Sequence, residues 1–162
     1  MQPPKGFRDS PYPYHHELEI LIESVSNLGI GVARDKGWVI QIPFVLPGET
    51  IRARIYRNHK NYSDADCLEV VEPSPHRIQP TCDLFSVCGG CQYQAVDYPT
   101  QLSWKQKHVE ETFLRIGGIE MTVNPTMASP KRFAYRSKLT PHYEKTLDTQ
   151  NRKIGFLRHG SR

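Results

Sequence analysis

Between Glu17 and Val71 the chain repeatedly switches between apolar and polar residues with a period of two, and turn-forming residues interrupt it at short intervals. A period of two is that of a strand with one face buried, so this stretch cannot be built from helices. Leu18, Ile20 and Ile22 alternate with Glu17, Glu19, Leu21 and Glu23. Gly29-Ile-Gly31-Val-Ala reads as a strand entry where glycine permits a bulge or a close backbone approach. Trp38–Ile42 follows, then the turn signal Leu46-Pro-Gly-Glu49, then Thr50–Tyr56, where Ile51, Ala53 and Ile55 share one face and Arg52 and Arg54 the other. After the polar turn Asn58-His-Lys-Asn61, Tyr62–Val71 makes a last strand, stopped by Pro73-Ser-Pro75.

Five short strands over residues 15–73 predict a small barrel, and the five-stranded solution that binds oligonucleotides is the OB-fold. Residues 1–14, with four prolines and two tyrosines but no periodicity, are expected to form a flexible leader. Asp97-Tyr-Pro-Thr predicts a helix start, Leu102, Val109, Phe113 and Ile116 fall on one face as a packing stripe, and Gly117-Gly118 closes the helix. This helix is expected to buttress the preceding loop. A hairpin is predicted further on: Tyr135, Ser137 and Leu139 alternate with Arg136, Lys138 and Thr140, Asp148–Asn151 turns, and Ile154–Leu157 returns. The expected fold class is therefore mainly β with minor α, a five-stranded OB-type barrel followed by a small α+β domain over 74–162. The last residues, His159-Gly-Ser-Arg162, lack a capping element and read as a cut within a longer protein.

Charge is unevenly spread. Residues 1–73 hold 8 Lys and Arg against 10 Asp and Glu, a net of −2, whereas residues 74–162 hold 13 against 7, a net of +6. The second part is the more suited to a polyanion. On the barrel, Arg52, Arg54, Arg57 and Lys60 could contact phosphates, and Tyr56 and Tyr62 could stack on bases. A mean hydropathy of −0.57, no apolar run of membrane-spanning length and an amino terminus without a secretory signal predict a cytoplasmic protein without a membrane partner.

Three cysteines stand close together as Cys82-Asp-Leu-Phe-Ser-Val-Cys88-Gly-Gly-Cys91. In a reducing compartment such a group points to a soft metal before a disulfide. Structural zinc normally uses two close ligand pairs, and only Cys88 and Cys91 make one, with Cys82 and either Cys67 or His76 left to complete it. An iron-sulfur cluster tolerates irregular spacing and a remote fourth ligand, so it suits the pattern better. Cys67 lies in an alternating run and reads as a small buried side chain.

Gly29-Ile-Gly31-Val, Leu46-Pro-Gly-Glu49, Glu72-Pro-Ser-Pro75 with Arg77, the cysteine run ending in Gln92, Gln101-Leu-x2-Lys105 and Tyr135-Arg136-x-Lys138 resemble, in this order, the amino-terminal part of the RNA (uracil-5-)-methyltransferases. The resemblance covers nearly the whole chain from residue 15. It implies a TRAM domain of OB-fold type followed by a central domain carrying a 4Fe-4S cluster, with Cys82, Cys88 and Cys91 as ligands and the fourth cysteine beyond Arg162. It also implies that S-adenosyl-L-methionine, the nucleophilic cysteine that adds to uracil C6 and the base that removes the C5 proton all belong to a further domain outside this chain. No residue of the chain is then expected to be catalytic. The implied partner is RNA, 23S rRNA before tRNA, bound by a monomer through the barrel residues above and through Arg136 and Lys138. The rival expectation is a stand-alone zinc-stabilised nucleic-acid-binding module.

Overall fold

The computed structural model describes residues 2–144, 150 and 152–160. Six strands form one curled sheet: β1 (Glu17–Leu21), β2 (Ser24–Val25), β3 (Ile30–Asp35), β4 (Trp38–Pro43), β5 (Thr50–Asn58) and β6 (Tyr62–Glu72), in the order β1-β5-β6-β4-β3-β2. The expected five strands become six because the first one bends. β1 and β2 are separated only by Ile22 and Glu23, whose N–H groups donate to the carbonyls of Glu49 and Val32, each at 2.9 Å. One extended segment thus begins on β5 and ends on β3, so the two edges of the sheet are consecutive parts of the same strand. That continuity curls the sheet into a barrel-like shape and leaves little open edge.

The alternation delivers the core directly. Ile20, Ile22, Ile40, Ile42, Ile51 and Ile55 are buried together with Ala33, Ala53 and Ala65. Each isoleucine so buried stabilises the fold by about 1.5–3 kcal/mol relative to leaving it in water. β3 and β4 are joined by Lys36 (φ 49°) and Gly37 (φ 84°), a two-residue turn with both residues left-handed, whose twist matches that of the strands. Gly31 must lack a side chain because a Cβ there would stand 2.3 Å from Val45 Cγ2. β4 and β6 pair in parallel, Val39–Gln41 against Tyr62–Asp64, a long-range closure that no hairpin provides.

The second half of the segment expected as a leader over 1–14 is tied to the barrel. Tyr12 is buried in the core and its hydroxyl donates to Asp35 at 2.8 Å. Asn58 Nδ2 donates to the carbonyls of Arg8 and Tyr12, both at 2.6 Å, while its Oδ1 accepts from the Ser63 hydroxyl, which in turn accepts from Trp38 Nε1. A buried amide has to satisfy its donors, and the leader carbonyls of Arg8 and Tyr12 do so here.

α1 (Tyr98–Gly117) begins and ends where expected. Asp97 caps it, accepting from the Thr100 N–H at 2.9 Å, Pro99 lies in the first turn, and Gly118 (φ 64°) reverses the chain so that its N–H and that of Ile119 return to the carbonyls of Leu114 and Phe113. The packing stripe is used at only one of its four residues, a correction to the expectation. Leu102 is half-buried, but Val109, Phe113 and Ile116 are exposed, Ile116 at 85%. Helical spacing makes a stripe without supplying something to cover it. The distal hairpin also shifts: β7 (His142–Tyr143) pairs with β8 (Ile154–Gly155), whereas residues 135–140 are exposed and carry no strand. The expected turn at Asp148–Asn151 lies, apart from Gln150, outside the described residues.

Asp97 ties the helix start to the chain before it. Its Oδ2 lies 2.9 Å from His76 Nδ1 and accepts from the Thr100 hydroxyl at 3.1 Å. Partial burial acts to raise its pKa, but the Thr100 N–H, the Thr100 hydroxyl and the His76 ring together outweigh it and hold the carboxyl below its ordinary range. A depressed carboxylate stabilises the fold above the unfolded-state pKa of about 4, and that contribution disappears as pH falls through the folded-state value. Asp97→Ala is therefore expected to cost about 1 kcal/mol near neutral pH, as lost N-caps do. In urea titrations the gap between wild type and variant should shrink on acidification below pH ~4; a gap that widens would contradict it.

Candidate functional site

The barrel and the cysteine-bearing segment meet at one buried carboxylate. The Leu46-Pro-Gly-Glu49 turn leads into β5 and turns the Glu49 side chain fully inward. Its two oxygens accept from Arg77 Nε and from Arg77 Nη2 at 2.7 Å, from the Leu46 N–H at 2.8 Å and from the Ser74 N–H at 3.3 Å. Arg77 also donates to the Phe44 carbonyl at 3.0 Å. The two-pronged guanidinium suits this planar carboxylate, and the backbone donors complete its solvation.

Arg77 opens the loop that holds the cysteines. It bridges antiparallel to Val96, the Ile78 N–H donates to the Ala95 carbonyl at 2.9 Å, and the Asp97 N–H donates to that of His76 at 3.0 Å. Residues 79–94 are thus an excursion closed at its base, where Ala95 and Val96 are buried. Three contacts hold its far side. The Phe44 ring, on a left-handed residue (φ 64°), meets Phe85 and His159 edge-on; Cys88 bridges to Arg158; and Gln92 passes so close to Gly29 (φ 75°) that a Cβ there would stand 2.7 Å from Gln92 Cβ. The close approach predicted for the Gly29-x-Gly31 run is real at both glycines.

All four cysteines are free thiols. Cys82 and Cys91 are exposed, Cys88 is half-buried, and its sulfur accepts from the Gly90 N–H at 3.3 Å. The donor set, three thiols on one short loop, is right for a soft metal centre. The geometry does not gather them: among the described residues no group of three His, Cys, Asp or Glu side chains is arranged to hold a metal ion. Cys67 lies in β6 opposite Ala53 and packs against the barrel core, and burial pushes its thiol pKa up, away from the thiolate a ligand needs.

The candidate RNA contacts divide into two groups. Arg52 and Arg54 project from β5 into a ladder of acids. Arg52 pairs with Glu69 at 2.9 Å and faces Glu19 across β1; Arg54 pairs with Asp66 at 3.1 Å and faces Glu17. A register shift between Ile55 and Arg57 then places Tyr56 and Arg57, successive residues, both outward. Partial burial and the nearby Asp64 and Asp66 push the Tyr56 hydroxyl up to about 12. Arg57 and Lys60 are exposed and, among the described residues, carry no ion pair or side-chain hydrogen bond. Tyr62 stacks on His59, ring centroids 4.2 Å apart. Arg136 and Lys138 are exposed on a stretch without regular structure, separate from the barrel group in sequence.

Two features escaped the sequence reading: the pairing of Glu49 with Arg77, although both residues lie in the motifs quoted above, and the stacked His59. Removing one member of a buried pair strands the other's charge. Arg77→Met is expected to destabilise the protein by about 3–5 kcal/mol in denaturant titration. A loss under about 1 kcal/mol would mean that water reaches Glu49.

Comparison with known proteins bears on the same residues. The family profile of the TRAM domain matches residues 16–68. An uncharacterised RNA methyltransferase of Halalkalibacterium halodurans is 37% identical over 132 residues, covering 81% of this chain and 29% of that protein. The tRNA (uracil(54)-C(5))-methyltransferase of Schizosaccharomyces pombe is 34% identical over 142 residues, 83% of this chain and 27% of that protein. A crystal structure of the Pyrococcus abyssi tRNA (uracil-54, C5)-methyltransferase with S-adenosyl-L-homocysteine aligns with a TM-score of 0.40 at 30% identity, over 69% of this chain and 24% of that one. The chain spans less than a third of the length of the curated relatives it matches. No helix among the described residues is long and apolar enough to cross a membrane. Residues 16–68 thus match the TRAM domain, in a chain similar to RNA methyltransferases that include a tRNA uracil-54 enzyme.

Proposed function

We propose that this chain is the RNA-holding part of a cytoplasmic, S-adenosyl-L-methionine-dependent RNA uracil-C5 methyltransferase. The observation that carries the reading is the TRAM match over 16–68 within a similarity to RNA methyltransferases that extends over four-fifths of the chain. The motifs recognised in the sequence point to 23S rRNA as substrate. A second reading, tRNA, is supported by the Schizosaccharomyces pombe relative, whose substrate is a tRNA uracil. In either case the barrel and the basic region after residue 74 hold folded RNA, while methyl transfer is carried out by residues outside 1–162. Residues 1–162 alone are then expected to bind RNA and transfer nothing. A longer protein containing them, given methyl-labelled S-adenosyl-L-methionine with 23S rRNA or tRNA, should place label on uracil C5. Label on neither RNA would overturn the proposal, and label on one decides the substrate.

For the cysteine loop the proposal is that Cys82, Cys88 and Cys91 give three thiolates to a 4Fe-4S cluster, the fourth ligand coming from outside this chain. Donor chemistry and spacing support this; the loop as described would have to draw its sulfurs together to do it. Such a cluster would fasten the loop and take no part in moving the methyl group. In the longer protein, purified without oxygen, iron and acid-labile sulfide are expected in equal amounts and should fall with Cys82→Ser, Cys88→Ser or Cys91→Ser. Colourless protein that holds zinc would favour the stand-alone zinc module instead.

A further inference from the structure

We infer that the barrel grips RNA through the tip of the β5–β6 hairpin, residues 56–62, as a stacking platform for an unpaired nucleotide, and that Arg52 and Arg54 take no part. The inference deepens the RNA-binding reading and rests on it. Its ground is the difference between Arg52 and Arg54 on the one hand and Arg57, three residues further along the same strand, on the other. For Arg52 to reach a phosphate it must leave Glu69, and the incoming anion would meet Glu69 on one side and Glu19 on the other. Arg54 stands in the same position between Asp66 and Glu17. Phosphate contacts are favourable because they release counterions from the nucleic acid, and an arginine already neutralised by protein carboxylates adds little to that.

At the tip the balance reverses. The irregularity after Ile55 turns Arg57 outward, Lys60 follows on the turn, and among the described residues neither cation is held in an ion pair. Asp64, the residue opposite Arg57, is engaged elsewhere: its Oδ2 lies 2.7 Å from His59 Nε2. That contact, with the His59 N–H donating to the Tyr62 carbonyl at 2.8 Å, fixes the imidazole against the phenol ring, 14° from parallel. A pair of stacked rings beside two exposed cations that carry no ion pair among the described residues matches a nucleotide with its base splayed out and its phosphate alongside. It does not match a duplex, whose bases are already stacked.

The test is binding of the 162-residue chain to a uridine-rich single-stranded oligoribonucleotide and to a duplex RNA of equal length, over a range of salt. Arg57→Ser with Lys60→Ser should lower the salt slope by about two, and His59→Ala should weaken single-strand binding about five- to a hundredfold, with thermal melts reporting whether each variant folds. Arg52→Ser with Arg54→Ser should leave both slope and affinity unchanged. Unaltered binding in the folded tip variants, or a loss confined to the Arg52 and Arg54 pair, overturns the assignment and leaves the RNA-binding reading standing. Preference for the duplex removes the stacking platform. Wild-type protein that binds neither RNA overturns the reading itself and the inference with it.

Discussion

The Glu49 carboxylate is the point on which the rest of this structure hangs. An ionised group with no contact to water must recover its lost solvation from the protein, and Glu49 does so from four N–H donors in three separate places: Arg77, Leu46 and Ser74. Its backbone carbonyl meanwhile receives Ile22 at the bend of the first strand. One residue thereby fixes the turn into β5, the closure of the barrel, the exit from β6 and the start of the cysteine loop. Arg77 carries the constraint onward through the Phe44 carbonyl, and the Phe44 ring meets Phe85 and His159. Barrel and loop are joined by a buried ionic contact, which tolerates little play because any separation would strand a charge.

The outer face of the barrel is an exercise in charge cancellation. Residues 1–73 carry a net negative charge, yet they contain the part of the chain that matches the TRAM domain, to which the proposed function gives RNA binding. The contradiction dissolves when charges are counted by position. Acids on β1 and β6 flank the β5 arginines, so most of the surface presents alternating signs at short range, which salt screens and a polyanion ignores. After the register shift between Ile55 and Arg57, Arg57 carries no ion pair among the described residues, unlike Arg52 and Arg54 in the same strand. A strand irregularity, a detail of backbone pairing, decides where the domain can be electropositive.

The cysteine loop shows the opposite economy. Its base is stitched by backbone hydrogen bonds and buried alanine and valine, while two of its three sulfurs face outward. The helix that follows is capped at both ends, yet it keeps Val109, Phe113 and Ile116 in the open. Both elements are well formed locally and incompletely covered.

What the sequence determined by itself were the features set by neighbours along the chain. Alternation marked the strands of residues 17–72, proline and glycine marked the turns, and Asp97 and Gly118 marked both ends of α1, because pleat, turn and cap are local chemistry. The same locality explains what stayed hidden. The bend at Ile22, the parallel pairing of β4 with β6, the anchoring of Tyr12 by Asn58 and Asp35, and the separation of Arg57 from Arg54 all depend on partners far away in sequence. In the sequence, Arg52, Arg54, Arg57 and Lys60 are four equivalent positive charges. Only the tertiary structure decided which of them have carboxylates across the sheet, since a side chain's electrostatic worth depends on what stands opposite it.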